Sequence, residues 1–242
     1  MSKFALQRLI SIEMDPYFLV ELLIIFSVLI ADYSIIYLYG MQPGSSSLQV
    51  YNFTGSVLNS IYFPYVLVLS LNVFMVTAFL ENGKILTLVT FGKSAKGVLT
   101  YMFLWAVLYS TAITALIFTV NVYLLEFTES LAAFAEIVFY LASFSVLFIG
   151  AGFLVATSIR NPVLSAGSLI AFFIFVSPPF FGKGADANPI LFAFTGFSHI
   201  GDSTPFSGVF VGGGVLEFVL GAVLFVLALI VIERVSLKPM RR

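Results

Sequence analysis

The chain has 242 residues, of which 60 % are hydrophobic and 10 % charged, and its mean hydropathy is +1.09. A soluble domain carries about a quarter charged residues, so this composition belongs to an integral membrane protein and excludes a soluble one. The absence of cysteine excludes disulfides, thiolate metal sites and thiol catalysis, while the net charge of −1 says little because its distribution carries the information.

The apolar residues come in long runs rather than in alternating ten-residue stretches, which selects helices over a membrane barrel. Residues 1–16 read as an amphipathic helix lying in the membrane interface: Ala5, Leu6, Leu9, Ile10 and Ile12 share one side, with Gln7, Arg8, Ser11 and Asp15 opposite. Pro16 suits the first turn of the helix that follows. Six spans are then expected, at approximately 17–39, 56–80, 99–125, 131–158, 163–181 and 208–232, within a membrane domain covering 17–233. The first holds Glu21 and Asp32, three turns apart and so on one face, about 16 Å along the axis.

Gly40–Gly55 reads as a polar loop, and its Asn52–Phe53–Thr54 is a glycosylation sequon, usable only if the loop lies outside. The second span carries Asn72 near its middle, and the sixth carries Glu217 behind a glycine cluster at 208–214. That cluster permits either close helix contact or a bend into the span. Between spans 5 and 6, residues 182–207 hold an apolar stretch, Ile190–Phe197, too short to cross. With Phe194 inside it, this stretch reads as an outer re-entrant or surface-lying segment. Residues 234–242 form a basic tail.

Six spans put both termini on one side. Of the 11 basic residues, all but Lys183 then fall on that side, which marks it as cytoplasmic. The same reasoning puts residues 80–98 inside and Asn52 outside.

No catalytic constellation is visible. The one histidine, His199, sits in the outer connection, and its neighbour Ser198 would not face it on a helix. Gly92–Lys93–Ser94 ends like a phosphate loop, but Thr87 stands where the first glycine is required. The chain is therefore read as a non-catalytic subunit that binds no cofactor. Glu21, Asp32, Asn72 and Glu217 are candidates for an intramembrane polar or translocation path. The plainer alternative is that Glu21 snorkels, Glu217 lies near the outer water, and Asp32 is protonated or hydrogen-bonded.

The connection at 80–99 is the most informative stretch. It carries three lysines against one glutamate, and Ile85, Leu88 and Val89 recur at helical spacing. In Glu81-x-Gly83, the short apolar Ile85–Leu88, the turn Thr90–Ser94 and the entry Lys96–Leu99, it resembles the cytoplasmic segment of type-2 ABC transporter permeases, the membrane subunits of ABC exporters. Leu80 and Asn82 flank Glu81 where that family often has a second acid, and Lys84 replaces a threonine. The layout agrees along the chain, including Asn188–Pro189 ahead of the last span.

The resemblance implies that 80–98 is a coupling helix docking on a separate ATP-binding subunit through Glu81, Gly83, Lys84, Ile85, Leu88, Val89 and Lys93. It also implies that two permease chains pair, as homo- or heterodimer, in the cell membrane. ATP and Mg would belong to the partner subunit, and the segment with Asn188, Pro189, Phe194 and His199 would dip back into the membrane. Nucleic acid is not among the expected partners; the lipid bilayer is. Two other readings stay open: a proton- or ion-coupled secondary transporter working through the carboxylates, and a non-transporting scaffold subunit of a larger complex.

Overall fold

A computed structural model of the chain describes residues 20, 23, 47–83, 94–124, 131–176 and 208–236. The expected interfacial helix at 1–16, most of the first span with Glu21 and Asp32, and the outer segment with Asn188, Pro189, Phe194 and His199 lie outside the described residues. So do Lys84, Ile85, Leu88, Val89 and Lys93.

All regular structure among the described residues is helical. Five helices follow in order: α1 (Ser47–Glu81), α2 (Ala95–Leu124), α3 (Leu131–Ile159), α4 (Pro162–Ile170), which winds on into a π-helical stretch over Ala171–Val176, and α5 (Gly208–Ser236). Among the described residues, three stretches are long and apolar enough to cross a membrane: Ala95–Leu116, Val138–Ile159 and Val211–Arg234. Tyr65–Glu81 and Pro162–Ile174 are shorter apolar helices. The described part is thus that of a multi-pass helical membrane protein.

α1 begins at Ser47, well ahead of the expected 56, and Asn52 falls within the helix. The turn signals that suggested a loop, Gly40, Pro43 and Gly44, all lie upstream of this start. The polar residues after them are ones that a helix tolerates at modest cost.

The helices alternate in direction, as the pairing of their residues shows. Tyr65 of α1 meets Leu141 and Ser145 of α3, and Val73 lies against Gly152, so α1 and α3 run parallel. Tyr140 meets Glu217 and Phe153 meets Phe225, so α3 and α5 run parallel too. α2 runs the other way: Phe103 stacks on Phe225 and Lys96 pairs with Glu233. α4 also opposes α3, with Leu169 near Gly152 and Phe173 on Phe144.

α3 is the most enclosed of the three long apolar stretches and packs against all four other helices. Its most extensive partner is α5, and the reason is glycine. A Cβ built on Gly150 would collide with the Gly221 carbonyl, and one built on Gly221 would collide with the backbone of Val146 and Leu147. The two backbones touch with no side chain between them, which is the close approach that small residues allow in membranes. On α3's other side, Gly152 admits Val73 of α1.

Two aromatic clusters fill the remaining space. Phe103, Phe153 and Phe225 lock α2, α3 and α5, with the Phe103 and Phe225 rings 3.9 Å apart and stacked. Phe144 and Phe148 meet Phe173 from α4 and, through Phe144, Tyr62 and Tyr65 from α1.

α3 and α4 are joined by only Arg160 and Asn161. Arg160 takes a left-handed conformation (φ 56°) and its N–H donates to the Ala156 carbonyl, ending α3. Asn161 then caps α4: its Oδ1 accepts from the Leu164 N–H at 3.0 Å, with Pro162 in the first turn.

Replacing Gly221 by Ala should therefore destabilise the chain by about 1–3 kcal/mol, the range for forced overpacking. Gly167, on the exposed side of α4 with open space around it, is the control, because Gly167→Ala should be neutral or stabilising by about 0.5–1 kcal/mol. Thermal unfolding in one detergent, side by side, reads both; equal melting points would contradict the glycine contact.

Candidate functional site: a buried polar belt and a charged bundle end

Most polar side chains in the helices bond to their own helix. Ser70, Thr77, Thr114, Ser143, Thr157 and Ser158 each donate to the carbonyl one turn earlier, at 2.6–2.9 Å. Where there is no water, this is the cheapest way to satisfy a hydroxyl.

A second set reaches across helices and forms a belt through the bundle. Tyr62 of α1 donates to the Phe173 carbonyl in the π-helical stretch at 2.9 Å. Tyr65 donates to the Leu141 carbonyl of α3 at 2.9 Å and also meets the Ser145 hydroxyl, which Thr111 of α2 approaches at 3.5 Å. The Asn72 amide donates to Val68 within α1 at 3.0 Å and to Ser110 of α2 at 3.3 Å. Tyr140 of α3 donates to Oε1 of Glu217 on α5 at 3.3 Å.

Glu217 is the charged member of this belt and is wholly buried, at 0 % exposure. Protein atoms, not solvent, surround it. Its other oxygen, Oε2, has no hydrogen-bond partner among the described residues, and no basic side chain there lies within ion-pair distance. Gly214 and Gly221 stand on the same face of α5, one turn to either side. Gly214 packs on the rings of Phe139 and Tyr140.

The second feature is one end of the bundle. The alternation of the helices gathers there the end of α1, the start of α2, the α3–α4 turn and the end of α5. It holds Glu81, Lys96, Arg160, Glu233 and Arg234. Glu81 is exposed in the last turn of α1. Asn82 and Gly83 bond back to Ala78 and Leu80, and Gly83 is left-handed (φ +67°), so the glycine of the Glu81-x-Gly83 pattern acts as a helix stop. Ser94 is the matching start. Its hydroxyl accepts from the Gly97 N–H at 3.0 Å, capping α2. Lys96 pairs with Glu233 at 2.6 Å, both exposed, which ties the start of α2 to the end of α5.

The structure thus brings Asn72 and Glu217 into one interior belt and puts Glu81 and Gly83 at the charged end. Tyr62, Tyr65, Tyr140 and Glu233 were not singled out from the sequence. In an apolar span a tyrosine reads as an interface residue, and nothing in the local pattern tells a hydroxyl that crosses helices from one that does not. Gly221, four residues after Glu217, was a readable signal for the buried face. Comparison of the chain with protein-family models, with curated proteins and with solved structures gives no match.

The two left-handed residues make opposite predictions. Gly83→Ala should cost about 1–2 kcal/mol, since nothing crowds a Cβ there and only the backbone conformation resists it. Arg160→Gly should gain a similar amount, up to about 1 kcal/mol after its extra chain entropy. Thermal melts of the two variants in detergent should move in opposite directions.

Proposed function

We propose that the chain is the membrane subunit of an ATP-driven exporter, built like the type-2 ABC permeases that its 80–99 segment resembles. In this reading it crosses the cell membrane six times with both termini in the cytoplasm. It pairs with a second permease chain and is powered by separate ATP-binding subunits, which carry the nucleotide and its magnesium.

The observation that supports it best is the place of the 84–93 connection. α1 is stopped at Gly83 and α2 is restarted at Ser94, at the same bundle end as Lys96, Arg160 and Arg234. Basic residues mark the cytoplasmic side, so the 84–93 connection, amphipathic in sequence, would start and end there, between two capped helix ends. Such a segment suits a docking element: Ile85, Leu88 and Val89 would seat in a groove of the ATP-binding subunit. Glu81, Lys84 and Lys93 would make the polar rim, and Gly83 would set the angle of exit. The Lys96–Glu233 pair would pass a push on this segment to the last span. The outer residues Asn188, Pro189, Phe194 and His199 would line the exit.

The test is gentle extraction of the tagged chain from its native membranes. An ATP-binding subunit should copurify, and Leu88→Asp should lower its yield about tenfold or more, as loss of a central apolar anchor does at protein interfaces. If no ATP-binding subunit copurifies, and Leu88→Asp with Glu81→Ala leaves transport unchanged, the exporter reading is wrong.

A further inference from the structure

We propose that the Glu217 carboxyl is a binding site for a small monovalent cation in the bundle core, a proton or an alkali metal ion that competes with it. The exporter reading does not ask for such a site, and the site does not depend on that reading.

The argument starts from satisfaction. Buried polar atoms are almost always hydrogen-bonded, and the exceptions ask for an explanation such as an ion or a functional role. Most buried polar side chains of the described bundle obey that rule, through carbonyls of their own helix or hydroxyls of the next, with the Ser165 hydroxyl another exception. Glu217 does not. One oxygen holds the long 3.3 Å bond from Tyr140, and the other has no partner among the described residues.

A buried carboxyl group must be compensated by a proton, a cation or a ring of donors. The donors nearby are committed elsewhere. Tyr62 gives its hydroxyl hydrogen to the Phe173 carbonyl, and Tyr65 gives its own to Leu141.

Among the described residues, the groups that face Glu217 are few. From α3 there is Tyr140, and from α1 the hydroxyls of Tyr62 and Tyr65 lie within electrostatic range. From α2, the charged group is Lys96, but it pairs with Glu233, sixteen residues and so about 24 Å further along α5. No fixed positive charge among the described residues competes for the site.

The flanking glycines add the second element of design. Gly214 and Gly221, one turn away on the same face, carry no side chain that could cover the carboxyl. Its hydrogen-bond partner among the described residues is the Tyr140 hydroxyl. The smallest species that could compensate the carboxyl is a cation at the carboxyl itself: the carboxylate oxygen takes up a proton, or an alkali ion takes the proton's place.

The experiment is labelling of the full-length chain in detergent with dicyclohexylcarbodiimide, an apolar reagent that enters membrane interiors. It reacts with the acid form: the carboxyl proton passes to a carbodiimide nitrogen, the carboxylate oxygen bonds to the central carbon, and the adduct rearranges to a stable N-acylurea. Peptide mass spectrometry then locates the label. Glu217 should be labelled, and the label should fall about tenfold per pH unit past its midpoint.

At a fixed pH, sodium chloride should be compared with choline chloride at equal ionic strength. A lower label in sodium assigns the site to an alkali ion sharing it with the proton; equal labels assign it to the proton alone. Both arms use the unaltered chain, so they do not depend on whether the control variant Glu217→Gln folds. The proposal is overturned if Glu217 stays unlabelled at every pH while the chain remains folded, or if its label ignores both pH and sodium.

Discussion

The backbone contact between α3 and α5 is the constraint on which the described bundle depends. Between two helices in a membrane there is no gain from driving out water, so packing and hydrogen bonds must hold them together. Gly150 and Gly221 bring the two main chains into direct touch. That approach sets the depth at which Phe153 and Phe225 meet, and through Phe225 the position of Phe103 and all of α2. It also fixes Glu217 against Tyr140, since Glu217 sits one turn from Gly221 on the same face. A change of spacing at this one crossing would be felt at the aromatic cluster, at the carboxyl and at the Lys96–Glu233 pair together.

α5 shows why hydrophobic periodicity was a poor guide here. Its buried face is Gly214, Glu217, Gly221, Phe225, Ala228 and Ile232, at steps of three and four. Its exposed face is Val215, Phe218, Val219, Val223, Val226 and Ile230. Both are apolar, because the solvent outside is as greasy as the core. The glycines, the alanine and the one carboxyl all turn inward, beside Phe225 and Ile232, while the outward face is branched or bulky throughout. Helix type and approximate extent were legible for this reason, as every long apolar run had to bond its own backbone. Which residue faces which was not legible from hydropathy, and only the glycine spacing hinted at it.

The charged end was read differently. Gly83 drew notice as part of a resemblance, and the structure supplies a local reason for a glycine there, a left-handed stop after α1. Ser94 was read as part of a turn, and its cap on α2 gives the same kind of reason. The short Arg160–Asn161–Pro162 turn is legible from its proline and length, while its left-handed arginine is not, because a non-glycine residue in that conformation leaves no mark in sequence. Lys96 is paired within the chain, to a glutamate sixteen residues beyond Glu217 that no sequence pattern connects to it.

The polar content of the bundle divides by what each group costs. A serine or threonine that bonds one turn back along its own helix adds nothing to specificity, since it would do so in any neighbour's company. The tyrosines and Asn72 differ, because their partners exist only when α1, α2, α3 and the π-helical stretch are in register. Each such bond is worth about 1 kcal/mol at most in a membrane, yet the set selects one arrangement among many greasy ones. Glu217 belongs to neither class. A glutamine in its place would fill the same space and offer an amide to Tyr140 without the cost of an ionisable group. A bundle built only for packing has no use for the carboxyl, and one that takes up and releases a cation does.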